Sequence, residues 1–302
     1  MLLWAARNRW LKERLPHFRW VRRATKRFMP GETAADAMAA AETHRAWGID
    51  AVFTLLGENL TDLSEARVVA DEYHDLIDES ARRGLDGEIS LKLTQLGLDL
   101  DPVVAFTHFE ALATHAAEKG SWAWIDMEGS AYTEQTVAFY ERARAGHENV
   151  GLCVQAYLRR TPSDVERLLP LRPAIRLVKG AYDETAAIAF RSRAEVDAAF
   201  LSLSTTLLEA VGTVGVRFIA ATHDVSLIER LAGAGMASGL EPAQIELQML
   251  YGIRQDQQRR LSDAGYDVRA LIAYGAAWYP WYMRRLAERP ANVAFALRQM
   301  LP

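Results

Sequence analysis

AVFTLLGEN (residues 51–59) is an apolar run that ends in glycine, glutamate and asparagine, and it is the first of eight such runs in the chain. The others are EISLKLT (88–94), WAWIDME (122–128), VGLCVQAY (150–157), AIRLVKGAY (174–182), VRFIAATHD (216–224), QIELQML (244–250) and VRALIAYG (268–275). Their starts lie 24 to 42 residues apart, the span of a strand, a helix and two loops. Eight such units predict an α/β fold, a closed (βα)8 barrel of the TIM type. In that fold the chemistry gathers where strands end and loops begin. The run ends here carry Glu58, Lys92, Asp126, Gln155, Arg176, Lys179, Thr222, His223, Gln248 and Tyr274.

A barrel of this type takes ~250 residues, so 302 residues leave room for one extra segment. The MPGET stretch (29–33) breaks the chain with Pro-Gly, and Thr33 is placed to cap a following Ala-rich helix. We therefore divide the chain into a basic N-terminal helical arm (1–32) and the barrel (33–302). Residues 1–30 hold nine Lys or Arg against one acid, Glu13, a local +8 in a chain of net charge −4, which leaves −12 on the remainder. The arm has no apolar stretch near the ~18 residues of a membrane span and no signal-peptide pattern. Its interleaved Trp and Arg fit two arrangements: an amphipathic helix on an anionic membrane surface, or a helix packed on the barrel with its Arg face in water. Nucleic acid is a poor partner, because the rest of the chain is acidic. A single cysteine, Cys153, excludes an internal disulfide, fits a reducing compartment, and lies mid-run as a packed thiol.

Helices are expected at 34–47, 61–84 and 101–120, the last two closed by Gly84 and Gly120. Others are expected at 161–171, 185–210, 225–234, 253–262 and 279–299, with Pro290 interrupting the last. No P-loop, no G-x-G-x-x-G after the first strand and no H-E-x-x-H occurs, and the histidines lack metal-ligand spacing, so no metal is expected. Three clusters carry chemistry instead. Arg176 and Lys179 sit near the end of run five, where buried cations require a polar or anionic partner, and Gly180 permits close approach of a flat ligand. AATHD (220–224) ends run six with several hydrogen-bonding side chains. YPWYMRRLAERPANVAF (279–295) sets Arg284 and Arg285 within a turn of Glu288, a pattern that serves equally as a helical salt bridge or as a carboxylate clamp.

RLVKGAY, ATHD, LQMLYGI and the YG…WYPWYMRRLAERPAN block, in that order, resemble the signatures of the proline dehydrogenase family, and the likeness spans roughly residues 40–300. The resemblance implies an FAD-dependent barrel enzyme that oxidises L-proline to Δ1-pyrroline-5-carboxylate, moving a hydride from C5 to flavin N5. It implies that Arg176 approaches the reactive edge of the flavin and that Gln155, Lys179, Gly180, Thr222, His223 and Gln248 hold the cofactor, together with Asp126, Ala181, Arg285 and Glu288. It implies a substrate site in which Arg284 and Arg285 grip the carboxylate, Lys92 and Asp126 pair beneath the ring, and Leu250, Ala181, Tyr182 and Tyr274 shape the pocket. Arg176, Asp126 and Lys92 are the catalytic candidates. Asp183 stands where many members have Trp after KGAY.

The resemblance further implies electron transfer to membrane quinone, a cytoplasmic protein able to visit the inner face of the membrane through residues 1–30, and a separate pyrroline-5-carboxylate dehydrogenase, since this length has no room for a fused one. Three other readings stay open on residues alone. A barrel flavoenzyme acting on hydroxyproline or another cyclic imino acid is one, with Tyr274 bulk deciding. A Schiff-base aldolase on Lys179 is the second. A barrel used as a binding scaffold is the third.

Overall fold

Eight strands close on themselves in chain order, and each neighbouring pair is parallel. They are β1 (Asp50–Leu55), β2 (Gly87–Leu91), β3 (Ala123–Ile125), β4 (Val150–Gln155), β5 (Ala174–Val178), β6 (Arg217–Ala221), β7 (Glu246–Leu250) and β8 (Asp267–Tyr274). The ring shuts where β1 pairs β8, from Asp50 opposite Arg269 to Leu55 opposite Tyr274. The computed structural model describes residues 28–57, 60–279 and 282. Among these, eight α-helices alternate with the strands: α1 (Ala34–Arg45), α2 (Leu63–Arg82), α3 (Pro102–Glu118), α4 (Thr133–Gly146), α5 (Thr161–Leu168), α6 (Arg193–Thr213), α7 (Val225–Ala237) and α8 (Gln255–Asp263). The (βα)8 barrel expected from the run spacing is the fold observed.

Local chemistry sets the boundaries. Thr33 opens α1 with a capping box: the Asp36 amide donates to Thr33 Oγ1, and the Thr33 amide donates to Asp36 Oδ2. Asp62 and Asp101 accept the first orphan amides of α2 and α3 in the same way. α2 ends at the Arg83–Gly84 turn, where φ of +62° favours glycine. The strands stop earlier than the apolar runs do. After Leu91 the chain turns into a short 3-10 segment, Leu93–Leu96, and after Val178 it leaves the sheet as loop. α6 begins at Arg193, not at 185, because Ser192 and Glu195 form a capping box there. α4 is absent from the expected helices; its buried residues are Thr133, Thr136, Val137, Phe139, Tyr140 and Ala143, where threonines and an alanine interrupt the apolar stripe. The expected helix at 279–299 and the arm up to residue 27 lie outside the described residues.

Two of the apolar clusters among the described residues matter for the site. The larger joins the outward strand faces to the helices. The smaller fills the lumen with Val52, Trp124, Ala174 and Ile219, flanked by Trp122 and Leu271. The segment leading into α1 belongs to the barrel: Phe28 packs edge-on to Tyr282 at 5.7 Å between ring centroids, and Trp278 Nε1 donates to Glu32 Oε1 at 3.0 Å. No helix among the described residues is long and apolar enough to cross a membrane.

Candidate active site

Side chains alternate across a strand, so positions two apart share the lumen. On β2 and beyond these are Glu88, Ser90 and Lys92; on β3, Trp124 and then Asp126; on β4, Gly151, Cys153 and Gln155; on β5, Ala174 and Arg176. Trp124 forms a floor. It stands opposite Gly151 in register, and a Cβ added there would lie 2.3 Å from its ring, so the indole occupies the space a side chain would need. Its Nε1 donates to Glu88 at 2.6 Å. Below it, Arg217 pairs with Glu88 and Glu246, each at 2.7 Å, and Arg269 reaches Asp86 at 3.3 Å and Glu88 at 3.4 Å. Burial pushes the Glu246 and Asp267 carboxyls up, with the neighbouring arginines opposing it.

Above the floor sits Arg176, 2% exposed, its guanidinium carbon 5.4 Å from the Trp124 ring centre. Burying a permanent cation costs several kcal/mol unless it is paired and its donors are met. Arg176 Nη2 donates to Asp126 Oδ1 and, at 2.8 Å, to Ser90 Oγ; Nη1 donates to Gln248 Oε1 at 3.3 Å. Ser90 Oγ in turn donates to Asp126 Oδ1 at 2.7 Å. Cys153 lies opposite Arg176 in register, and burial raises its thiol pKa, so it stays a protonated packing group.

Two amides border this centre. Gln155 Nε2 donates to the Met127 carbonyl at 3.3 Å. Gln155 Oε1 and Gln248 Nε2 are buried with no hydrogen-bond partner among the described residues. Lys92 is 8% exposed and has no carboxylate within ion-pair distance among the described residues, while its expected partner Asp126 is engaged with Arg176 instead. The Lys92–Asp126 pair is thus replaced by an Arg176–Asp126 pair.

The rim is held by carboxylates. Lys179 pairs with Asp197 and, at 3.3 Å, with Asp224; Arg193 also reaches Asp224, at 2.9 Å. Glu128 accepts from the Thr94 amide and hydroxyl, tying the loops after β2 and β3. Glu184 accepts from the Ser130 amide and hydroxyl, tying the loops after β3 and β5. The Leu250 amide donates to His223 Nε2 at 2.9 Å, which makes Nε2 the acceptor and leaves the ring proton on Nδ1 in the neutral form. Thr222 Oγ1 accepts from the Asp224 amide. Gly180 has φ of +114°, and its absent Cβ is replaced by the Tyr157 ring, 2.2 Å from that position. Ala181 and Tyr182 follow, half-buried, on the loop beside Gly129.

The strand ends therefore bring together Lys92, Asp126, Gln155, Arg176, Thr222, His223, Gln248 and Leu250. Tyr274 is placed elsewhere. On β8 the lumen alternation runs Asp267, Arg269, Leu271 and Ala273, so Tyr274 falls on the opposite face and is buried in the outer core among strand and helix residues. The expectation that Tyr274 shapes the substrate pocket is corrected by this phase. Arg284, Arg285, Glu288 and Glu58 lie outside the described residues. Sequence reading missed Ser90, Trp124, Glu128, Glu184 and Asp197. Ser90 had a usable signal, two residues before Lys92 and so on its face of the strand, as Trp124 had, two residues before Asp126.

A family model described as proline dehydrogenase matches residues 37–298. The chain belongs to the proline dehydrogenase family. That makes it an oxidoreductase of a family named for proline oxidation. It is 38% identical over 280 residues to proline dehydrogenase 1 of Bacillus subtilis strain 168, covering 93% of this chain and 91% of that protein. It is 34% identical over 281 residues to the proline dehydrogenase of Deinococcus radiodurans, covering 91% and 89%. Among solved structures, proline utilization A from Bdellovibrio bacteriovorus, inactivated by N-propargylglycine, superposes with a TM-score of 0.82 at 23% identity, over 89% of this chain and 33% of that one. The fold is shared with that larger protein, of which this family member spans about a third.

Proposed function

We propose that this chain oxidises L-proline to Δ1-pyrroline-5-carboxylate with FAD as the bound electron acceptor, as the first step of proline catabolism. The observation that carries the reading is the buried Arg176–Asp126 pair at the barrel's strand ends, in a chain of this family. The residues fit a flavin. An orphaned acceptor, Gln155 Oε1, and an orphaned donor, Gln248 Nε2, suit the alternating carbonyls and imide N–H of an isoalloxazine edge. Gln155, Gln248, Arg176, Asp126, Thr222, His223, Lys179, Gly180 and Ala181 would hold it, with Arg285 and Glu288 joining from the segment after β8.

When bound, the flavin supplies the two-electron oxidant, taking a hydride from proline C5 while the amine loses a proton. The protein's share is charge, orientation and dryness. Arg176 is a fixed cation in a site of low dielectric, so it favours negative charge accumulating beside it. Lys92, buried and without a carboxylate partner among the described residues, suits the substrate carboxylate, with Arg284 and Arg285 completing the grip. The packed Trp124 floor keeps water from entering from below. Tyr182 and Leu250 border the substrate space.

Electrons then pass to membrane quinone, with residues 1–30 making the peripheral contact, and a separate dehydrogenase consumes the product. Lys179 lends no support to the Schiff-base alternative, because its amine is engaged by Asp197 and Asp224 at the rim. The test is the anaerobic visible spectrum of purified protein before and after L-proline. A flavin band that bleaches supports the reading. A flavin band indifferent to proline moves the substrate to another imino acid, and a colourless protein that fails to take up FAD refutes it.

A further inference from the structure

Ser90 is fully buried on β2, and its hydroxyl is the third corner of the triangle formed with Arg176 Nη2 and Asp126 Oδ1. A serine hydroxyl has one proton to donate. Here it goes to Asp126, while a lone pair meets Arg176, so the hydroxyl orientation is determined by both neighbours. The backbone beneath is pinned as well. The Tyr73 hydroxyl, from α2, donates to the Ser90 carbonyl at 2.8 Å and accepts from the Leu55 amide at 3.0 Å. β1–β2 pairing runs from Ala51–Gly87 to Phe53–Ile89, so Tyr73 bridges the two strands just beyond the last paired residues. Ser90 is thus held at a fixed height in the lumen, two residues before Lys92.

We propose that Ser90 is a positioning residue for the oxidation reaction: it fixes the Arg176 guanidinium and the Asp126 carboxylate in one relative arrangement, so that the cation points at the strand-end site. This inference rests on the functional reading above. Asp126 holds the guanidinium through a single Nη2–Oδ1 contact, and the Gln248 contact on Nη1 is long at 3.3 Å, so the two together fix its plane loosely. A further contact from a rigid strand removes that looseness. Orientation matters more than affinity here, because Arg176 is already committed to the lumen by burial.

The experiment compares wild-type holoenzyme with Ser90→Ala and Ser90→Thr, the second of which keeps the hydroxyl. The readouts are kcat and KM for L-proline, the flavin midpoint potential, and the melting temperature. The expected result for Ser90→Ala is a kcat reduced about tenfold, the scale of one hydrogen bond to a charged group. KM stays within twofold, and the potential moves to more negative values because the cation is no longer held at the flavin. Ser90→Thr recovers most of both. Two results overturn the role. One is Ser90→Ala with wild-type kcat and potential. The other is loss of activity in step with melting temperature and unrelieved in Ser90→Thr, which marks a packing residue only. A wild-type protein whose flavin ignores proline overturns the functional reading itself, and in that protein the potential of Ser90→Ala still decides whether Ser90 positions the cation.

Discussion

Removing the Asp126 carboxylate strands a buried cation, and the cost follows from what remains around it. In Asp126→Ala, Arg176 keeps Ser90 Oγ and Gln248 Oε1 as acceptors but has lost the one carboxylate that pairs with it among the described residues. Breaking a buried ion pair from one side costs about 3–5 kcal/mol. The Asp126 side chain is 20% exposed, so water partly fills the gap and the lower end, about 3 kcal/mol, applies. At roughly 2 °C per kcal/mol for a domain of this size, the melting temperature falls by about 6 °C. The diagnostic comparison is a double-mutant cycle with Arg176→Met, measured by thermal unfolding of cofactor-free protein so that ligand binding does not contribute. Because Arg176→Met removes the stranded charge, the Asp126→Ala/Arg176→Met protein melts above Asp126→Ala alone. Additive losses in the double mutant refute the claim that Arg176 and Asp126 compensate each other, as does an Asp126→Ala protein that melts within about 1 °C of wild type.

Gly151→Ala forces a Cβ into the Trp124 ring and destabilises by about 1–3 kcal/mol, whereas adding Trp124→Leu relieves it; urea unfolding checks both. Burial holds His44 below its ordinary value of 6.5, so the native state keeps it neutral while the unfolded chain protonates. Its contribution is therefore complete above about pH 6.5 and is lost as pH falls toward the depressed native value. Melting curves from pH 7.5 to 5 show a shallower acid-side decline in His44→Gln than in wild type, and identical slopes exclude His44 as a source. Glu184→Ala unties the loops after β3 and β5; flavin retention during gel filtration weakens severalfold while the melting temperature of the cofactor-free protein moves by less than about 2 °C. Lys179→Met removes one of the two cations, with Arg193, that Asp197 and Asp224 share, and titration of cofactor-free protein with FAD shows affinity reduced by about tenfold.

The barrel was legible because a strand buried on both faces must be apolar along its length, and eight such runs at a strand-helix spacing admit few other folds. Arg176, Asp126 and Gln248 were legible for the same reason: polar groups inside apolar runs have to be met by something. Ser90 was passed over because a serine in an apolar strand is small enough to read as packing, although its place two residues before Lys92 puts it on the same face. Trp124 was hidden because an indole in an apolar run reads as packing on either face; what sets its phase is Asp126, two residues on, and Trp122, two residues before, shares that face. Tyr274 shows how phase is lost. The run VRALIAYG is apolar on both faces, so alternation alone does not say which set points inward; the charges of Asp267 and Arg269 do, since they join the ionic floor, and counting on by twos from Arg269 reaches Leu271 and Ala273 and skips Tyr274. α4 escaped because its buried face is mostly small or hydroxylic.

The lumen is divided electrically as well as sterically. Beneath Trp124, Arg217 and Arg269 are surrounded by Asp50, Asp86, Glu88, Glu246 and Asp267, more acids than cations. Above it, Arg176 faces a single close carboxylate, and Lys92 faces none within ion-pair reach among the described residues. Glu88 spans the divide: it accepts from Trp124 Nε1 and adds to the field that keeps the Arg176 guanidinium charged against the cost of burial. The acids of the floor thus stabilise the cation of the site without touching it, and the indole between them prevents the direct pairing that would neutralise it. The oxidation proposed above would need surplus positive charge in a dry space, to favour negative charge on the oxidant and to hold a carboxylate. Placing acids one side-chain layer below supplies part of the field that keeps Arg176 charged while Arg176 itself stays on the strand-end side of the indole, where ligands of a barrel enter.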